Sequence, residues 1–275
     1  MYGAIIGDIA GSRFEFNNRK SKQFTIFHPH SFVTDDTVMT LALARAVMEA
    51  DRLMPLRGEG YFELLEDRAV ACMKEVGRHY PDCGYGGYFF QWMFGSDTAP
   101  YNSYGNGAAM RVGAAGFAAR SEEEALKMAD ALTGVTHNHI EGLKGGRAAA
   151  LCIYLARTGS GLDEIRAHVE RDFYPLDFTV DSLRPHYEFD GSCQGTVPQA
   201  IACFLESTSF EDAIRNAISI GGDSDTIGAI TGAMAEAFYG VPEAMKEQAL
   251  TYLDERLLAI LADWDLMMAQ PGGAG

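Results

Sequence analysis

The sequence predicts an all-α protein, a single compact bundle of many helices, and three observations carry that expectation. Apolar residues recur at helical spacing over ten segments. Alternating Val/Ile/Thr/Tyr runs that mark strands are almost absent, with 24–32 the one candidate. Several helical segments are rich in Gly and Ala, as at 107–116 and 227–233. Small faces let helix backbones approach closely, and tight packing must offset the roughly 1 kcal/mol of helix propensity that each glycine costs.

The elements follow in order. Residues 38–50 place Val38, Leu41, Ala42, Arg45 and Ala46 at helical offsets. The same pattern predicts helices over 61–78, 108–120, 122–132 and 142–157, then over 162–173, 196–206, 210–220, 226–238 and 242–268. Start signals agree: Glu124 follows Ser121 and Asp212 follows Ser209 at the capping-box spacing, and Pro242 sits where a first turn tolerates a missing N–H. No internal repeat is present. The one linker-like stretch, 174–195, is punctuated by Pro175, Pro185 and Gly191. The chain therefore reads as one domain over 1–270, followed by a frayed tail at 271–275.

Composition narrows the function. The 275 residues carry 22 Lys and Arg against 38 Asp and Glu, a formal charge of −16, with 47% hydrophobic residues. That balance excludes a general nucleic-acid or anionic-membrane binder, which needs a basic excess to release phosphate counterions. No apolar run reaches the ~18 residues needed to cross a bilayer. Five cysteines, Cys72, Cys83, Cys152, Cys193 and Cys203, form an odd set without C-x-x-C spacing. With no basic and apolar leader at Met1, they place the protein in the reducing cytoplasm.

Two acidic motifs carry the chemistry. Thr34-Asp35-Asp36-Thr37 precedes an apolar helix, where Thr or Asp is expected as a cap and acidic residues favour the positive end of the helix dipole. Gly221-Gly222-Asp223-Ser224-Asp225-Thr226 opens a second, Gly/Ala-rich helix. It is no EF-hand, because counting from Asp223 puts Ile227 at loop position five and Met234 at position twelve. If folding brings the two motifs together, four aspartates lie within a few ångströms and cannot all stay ionised without cations. Oxygen-only ligation fits Mg²⁺ or Mn²⁺, and two ions ~3.5–4 Å apart could orient a substrate diol and activate water. The expected centre is thus dinuclear and sits at helix N-termini.

Other features are less specific. Ser103-Tyr104-Gly105-Asn106-Gly107-Ala108-Ala109-Met110-Arg111 is neither G-x-G-x-x-G nor a Walker loop, and reads equally as a helix entry or a phosphate cradle. His28 with His30, and His137 with His139, are two apart and cannot share a helix face. His137 precedes a predicted helix, a position suited to ligand contact. Glu15 is expected to pair with Arg13 or Arg19. No G-x-S-x-G or comparable nucleophile setting appears.

Taken together, these motifs resemble the ADP-ribosylglycohydrolase family. Gly7-Asp8-Ile9-Ala10-Gly11 with Glu15, TDDT at 34–37, SYGNGAAMR at 103–111, THNH at 136–139, GTVPQA at 195–200 and GGDSDT at 221–226 occur in the family's order and spacing. The resemblance implies an all-α fold with a dinuclear Mg²⁺ or Mn²⁺ centre. It implies that Thr34, Asp35 and Asp36 bind metal with Asp223, Asp225 and Thr226. Glu15 matches a mobile acidic residue near the scissile bond. Ser103, Tyr104, Gly105, Asn106 and Gly107 match the loop that holds pyrophosphate and the adjoining ribose, and His137 matches a substrate-contacting histidine. Ser224 stands where many members have Thr.

The implied reaction is cleavage of the N- or O-glycosidic bond at ribose C1″ of an ADP-ribosylated protein or small ADP-ribosyl compound. Water held by metal or carboxylate attacks C1″, with Glu15 or Asp36 as general base and a metal or Asp35 orienting the ribose hydroxyls. Two other classes remain open at this point: a non-hydrolytic ADP-ribose binder or crystallin-like relative, and a dinuclear nucleotide phosphohydrolase. The linkage cleaved depends on loops such as 174–195.

Overall fold

The computed structural model describes residues 1–269, so the tail predicted at 271–275 lies outside the described residues. Fifteen helices and no strand are found among them. In chain order they are α1 (Tyr2–Gly11), α2 (Asp35–Leu53), α3 (Tyr61–Gly77), α4 (Gly87–Phe94), α5 (Gly107–Met110), α6 (Gly113–Ala118), α7 (Glu122–Gly134) and α8 (Ile140–Thr158). They continue as α9 (Leu162–Asp172), α10 (Val180–Leu183), α11 (Cys193–Leu205), α12 (Phe210–Ser219), α13 (Ser224–Tyr239), α14 (Glu243–Leu250) and α15 (Glu255–Met268). None is long and apolar enough to cross a membrane.

The predicted starts hold where side chains cap: Ser121 accepts the Glu124 amide and Ser209 the Asp212 amide. Two predicted helices are each divided. The segment 108–120 breaks at Arg111 and Val112, where Arg111 is drawn inward and fully buried. The segment 242–268 breaks before Asp254, whose carboxylate caps α15 by accepting the Leu257 amide. The strand considered at 24–32 does not form. Its surroundings are satisfied by arginines instead: Arg215 donates to the carbonyls of Lys22 and Phe24, and Arg13 to that of Thr25. The helix α1 escaped the periodicity reading because it is buried on nearly every side and so shows no polar face.

The centre of the bundle is the antiparallel pair α1 and α13. Gly3, Gly7 and Gly11 on α1 meet Gly232, Gly228 and the Ser224–Asp225 backbone on α13. A Cβ added at Gly7 would lie 1.9 Å from the Gly228 carbonyl oxygen, and one at Gly3 would lie 2.0 Å from that of Gly232. The backbones are thus in direct contact, and only glycine fits. At the far end Glu236 of α13 closes the open N-terminus of α1, pairing with the Met1 ammonium at 2.8 Å and accepting the Gly3 amide at 2.7 Å. Ile5, Ile6 and Ile9 extend the seam into a core that includes Leu41, Leu43, Phe204 and Met234.

This antiparallel packing fixes the site, because the last turn of α1 and the first turn of α13 arrive at the same end of the bundle. Glu15 follows one, and Asp223 and Asp225 open the other.

The seam should not tolerate a methyl group. Gly7→Ala is expected to destabilise the fold by at least about 1–3 kcal/mol, the range for overpacked cores, read as a lower midpoint in denaturant or thermal unfolding. An unchanged midpoint would mean that the backbones are not in contact.

Candidate metal centre and substrate cleft

One cleft of about 440 Å³ gathers most of the residues that the sequence singled out. Glu15, Thr34, Asp35, Asp36, Ser103, Gly105, Asn106, Gly107, His137, Asp223, Asp225 and Thr226 all line it. Tyr104 does not: its half-exposed ring packs against His139, with centroids 5.3 Å apart, while its carbonyl accepts the Cys193 amide.

The α13 side is built by a turn. Gly221 and Gly222 take φ of +74° and +75°, in the left-handed region that favours glycine. Asn18 ties that turn to the chain leaving α1. Its amide nitrogen donates to the carbonyls of Phe14, Glu15 and Gly222, and its oxygen accepts the Gly222 amide at 2.8 Å. The expected ion pair of Glu15 with Arg13 or Arg19 is therefore corrected. Arg13 and Arg19 donate to the carbonyls of Thr25 and Gln23, and the Glu15 carboxylate turns toward the aspartates. Glu15, Asp223 and Asp225 each place a carboxylate oxygen within 4.8 Å of the other two.

The α2 side is organised by a buried acid of the Gly7–Gly11 motif that had no site role assigned to it. Asp8, fully buried on α1, accepts the amides of Thr34 and Thr37, both at 3.1 Å, together with the hydroxyls of both threonines. It thereby anchors the first turn of α2. Thr34 caps the helix through the Asp36 amide, and the hydroxyls of Thr34 and Thr226 both reach Asp36 Oδ2, at 3.3 and 3.1 Å. That last bond links the two acidic motifs directly.

Asn106 has a structural part as well as its place in the Gly-rich loop. Its amide donates to Asp223 Oδ2 at 2.7 Å and to the Thr196 hydroxyl at 3.1 Å, and Thr196 in turn donates to the Asp190 carbonyl. The GTVPQA motif and the 174–195 segment thus reach the acidic floor through one side chain. Ser103 Oγ accepts the Gly105 amide, and Gly105 forms a short antiparallel bridge with Ser192.

The electrostatics are those of crowded, buried acids. Burial, and then the charges of Asp8 and Asp223, push Asp35 up to about 8. Burial followed by the charges of Asp223 and Asp8 raises Glu15 to about 7. Burial raises Asp8 to about 6 against the four hydrogen bonds that pull it down. Asp36 and Asp225 are driven well above the usual carboxylate range, again by burial first and neighbouring acids second. Asp36 Oδ1 and Asp225 Oδ1 are buried without a hydrogen-bond partner. Bare, buried carboxylate oxygens beside hydroxyl oxygens fit a hard divalent cation.

The molecule is an all-helical bundle holding a carboxylate-floored cleft beside a Gly-rich loop. The ADP-ribosylglycohydrolase family model matches residues 1–273. Among curated relatives, ADP-ribosylhydrolase ARH3 of Mus musculus is 26% identical over 94% of this chain and 88% of its own. ADP-ribosyl-[dinitrogen reductase] glycohydrolase of Rhodospirillum rubrum is 27% identical over 88% and 84%. A solved structure titled ADP-ribosylglycohydrolase-related protein complex shares the fold, with a TM-score of 0.65 and 23% identity over 96% of this chain and 95% of that one. The chain belongs to the ADP-ribosylglycohydrolase family, whose members hydrolyse ADP-ribosyl linkages.

A pH dependence follows from the raised acids. Each contributes stability that is fully present below its unfolded value, near 4, and lost as pH rises through its folded value, about 7 for Glu15 and about 8 for Asp35. Protein held in chelator should therefore lose thermal stability between about pH 5 and about pH 8, and an added divalent cation should restore it at the upper end. Chelated protein that gains stability over that interval would contradict the buried-acid account.

Proposed function

We propose that the chain is a divalent-metal-dependent hydrolase of the glycosidic bond at ribose C1″, acting on an N- or O-linked ADP-ribosyl group of a protein or small molecule. One observation carries the reading: a single cleft has carboxylates and hydroxyls on its floor and the Gly105–Gly107 turn with His137 on its wall. Family membership supports the ADP-ribosyl group as the substrate. The five free thiols fit a reducing cytoplasm.

In this reading Thr34, Asp35, Asp36, Asp223, Asp225 and Thr226 hold two divalent ions, Mg²⁺ or Mn²⁺. When bound, the ions would supply positive charge that chelates the ribose diol and fixes the ring. Ser103, Gly105, Asn106 and Gly107 receive the pyrophosphate and adjoining ribose with His137, and Tyr104 stands at the rim.

Glu15 is the better general base. Asp36 Oδ2 already accepts the Thr226 hydroxyl, whereas the Glu15 carboxylate is tied to no arginine and opens into the cleft. It accepts a proton from a water attacking C1″ as the C1″–N or C1″–O bond breaks and the ribose takes on oxocarbenium character, and it returns that proton to the leaving group. Asp35, half-buried at the cleft, orients the ribose hydroxyls.

Incubation with an ADP-ribosylated peptide and with free ADP-ribose, with and without EDTA, tests the reaction. Release of intact ADP-ribose that EDTA abolishes is the expected result. Formation of AMP would identify a phosphohydrolase, and affinity without turnover a binder. Asp36→Ala should lower the metal-dependent rate about a thousandfold, as a metal's electrostatic contribution of several kcal/mol requires; retention of full activity would sink the metal assignment.

A further inference from the structure

Arg111 is buried to 1% exposure, although it lies beside a cleft in which the other charged side chains are mostly acids. It occupies the break between α5 and α6, and its guanidinium lies over the Phe89 ring at 4.8 Å. From there Nη2 reaches the Thr136 hydroxyl at 2.6 Å and His137 Nδ1 at 3.2 Å, and the Thr136 hydroxyl lies 2.7 Å from the same Nδ1. These three contacts form a closed triangle with one consistent set of protons. A guanidinium only donates, so Nδ1 facing it must offer a lone pair. Thr136 accepts from Arg111 and has one proton left, which goes to Nδ1. The ring proton is then on Nε2.

We infer that Arg111 and Thr136 are positioning residues that hold His137 as the Nε2–H tautomer, so that it meets the substrate as a neutral hydrogen-bond donor. Nε2 faces the Gly-rich turn: a Cβ added at Gly107 would lie 3.3 Å from it, and one at Gly105 would lie 3.5 Å away. Those glycines leave Nε2–H uncovered on the cleft wall, where its partner is an acceptor oxygen such as that of a pyrophosphate. A second proton on the ring would point Nδ1–H at two donors. Burial first, and the Arg111 charge second, hold the imidazole neutral by lowering its affinity for that proton. The role of the donor rests on the proposed hydrolase reading, whereas the tautomer does not.

Nitrogen-15 spectra of the histidine side chains, with His137→Gln to assign the signal, test the tautomer directly. The expected pattern is a protonated Nε2 and a bare Nδ1; a protonated Nδ1 overturns the inference. Because Arg111 variants risk misfolding, Thr136→Val is the functional probe, since it removes the hydroxyl and nearly preserves shape. It should weaken affinity for ADP-ribose about tenfold, the equivalent of one hydrogen bond, with a second tautomer appearing in the spectrum and Thr136→Ser restoring both. Unchanged affinity and an unchanged spectrum for Thr136→Val would overturn the positioning role. An Nε2–H spectrum in a protein that turns over no ADP-ribosyl substrate would uphold the tautomer and defeat the hydrolase reading instead.

Discussion

Six carboxylates, those of Asp8, Glu15, Asp35, Asp36, Asp223 and Asp225, converge at one end of the helical bundle, and most are removed from water. Like charges in a low-dielectric setting repel strongly, so this end is the least favourable part of the molecule to assemble. The structure offsets the repulsion locally. Asp8 spends its acceptors on two amides and two hydroxyls. Asp223 takes the Asn106 amide, and Asp36 takes the Thr226 hydroxyl. Two helix N-termini, those of α2 and α13, direct positive dipole ends toward the same place. What is left bare, Asp36 Oδ1 and Asp225 Oδ1, is what a cation would need.

The interior exists to hold that cluster in place. The glycine seam between α1 and α13 brings two backbones into contact, so main-chain contact sets how closely the Glu15 loop and the Asp223 turn approach. Side chains that could repack would leave the carboxylates free to drift apart. Asn18 completes the lock by bonding both segments at once. On the opposite wall Arg111 plays the corresponding part for His137, with its own charge screened from water by Phe89. The acid floor and the neutral donor wall are therefore built by different devices, one of backbone contact and one of a buried cation.

Much of this was legible beforehand. The helical class, most helix positions and the two acidic motifs follow from period and capping chemistry, which act over a few residues. Only the ion pair expected of Glu15 fails: Arg13 and Arg19 are its sequence neighbours, and their spacing does not reveal that backbone carbonyls occupy both. Asp8 belongs to one of the family-like motifs, yet nothing local reveals its part, which rests on threonine partners 26 and 29 residues away. Asn18 carried no sequence signal, and Thr136 stood in the THNH motif with no part assigned to it. The helix α1 was missed for the opposite reason, since burial on nearly every side removes the amphipathic pattern by which helices are recognised.

The sequence by itself determined the kind of protein: an acidic, all-helical chain whose motifs, in order and spacing, are those of an ADP-ribosylglycohydrolase. Tertiary structure alone decided which acids face one another, which oxygens stay bare and which histidine nitrogen carries the proton. Those outcomes depend on contacts between residues as far apart as Asp36 and Thr226 or Asn106 and Asp223. Local propensity reaches only across a turn or a cap, whereas charge, desolvation and hydrogen bonding act through space and take their values only once the chain has closed on itself.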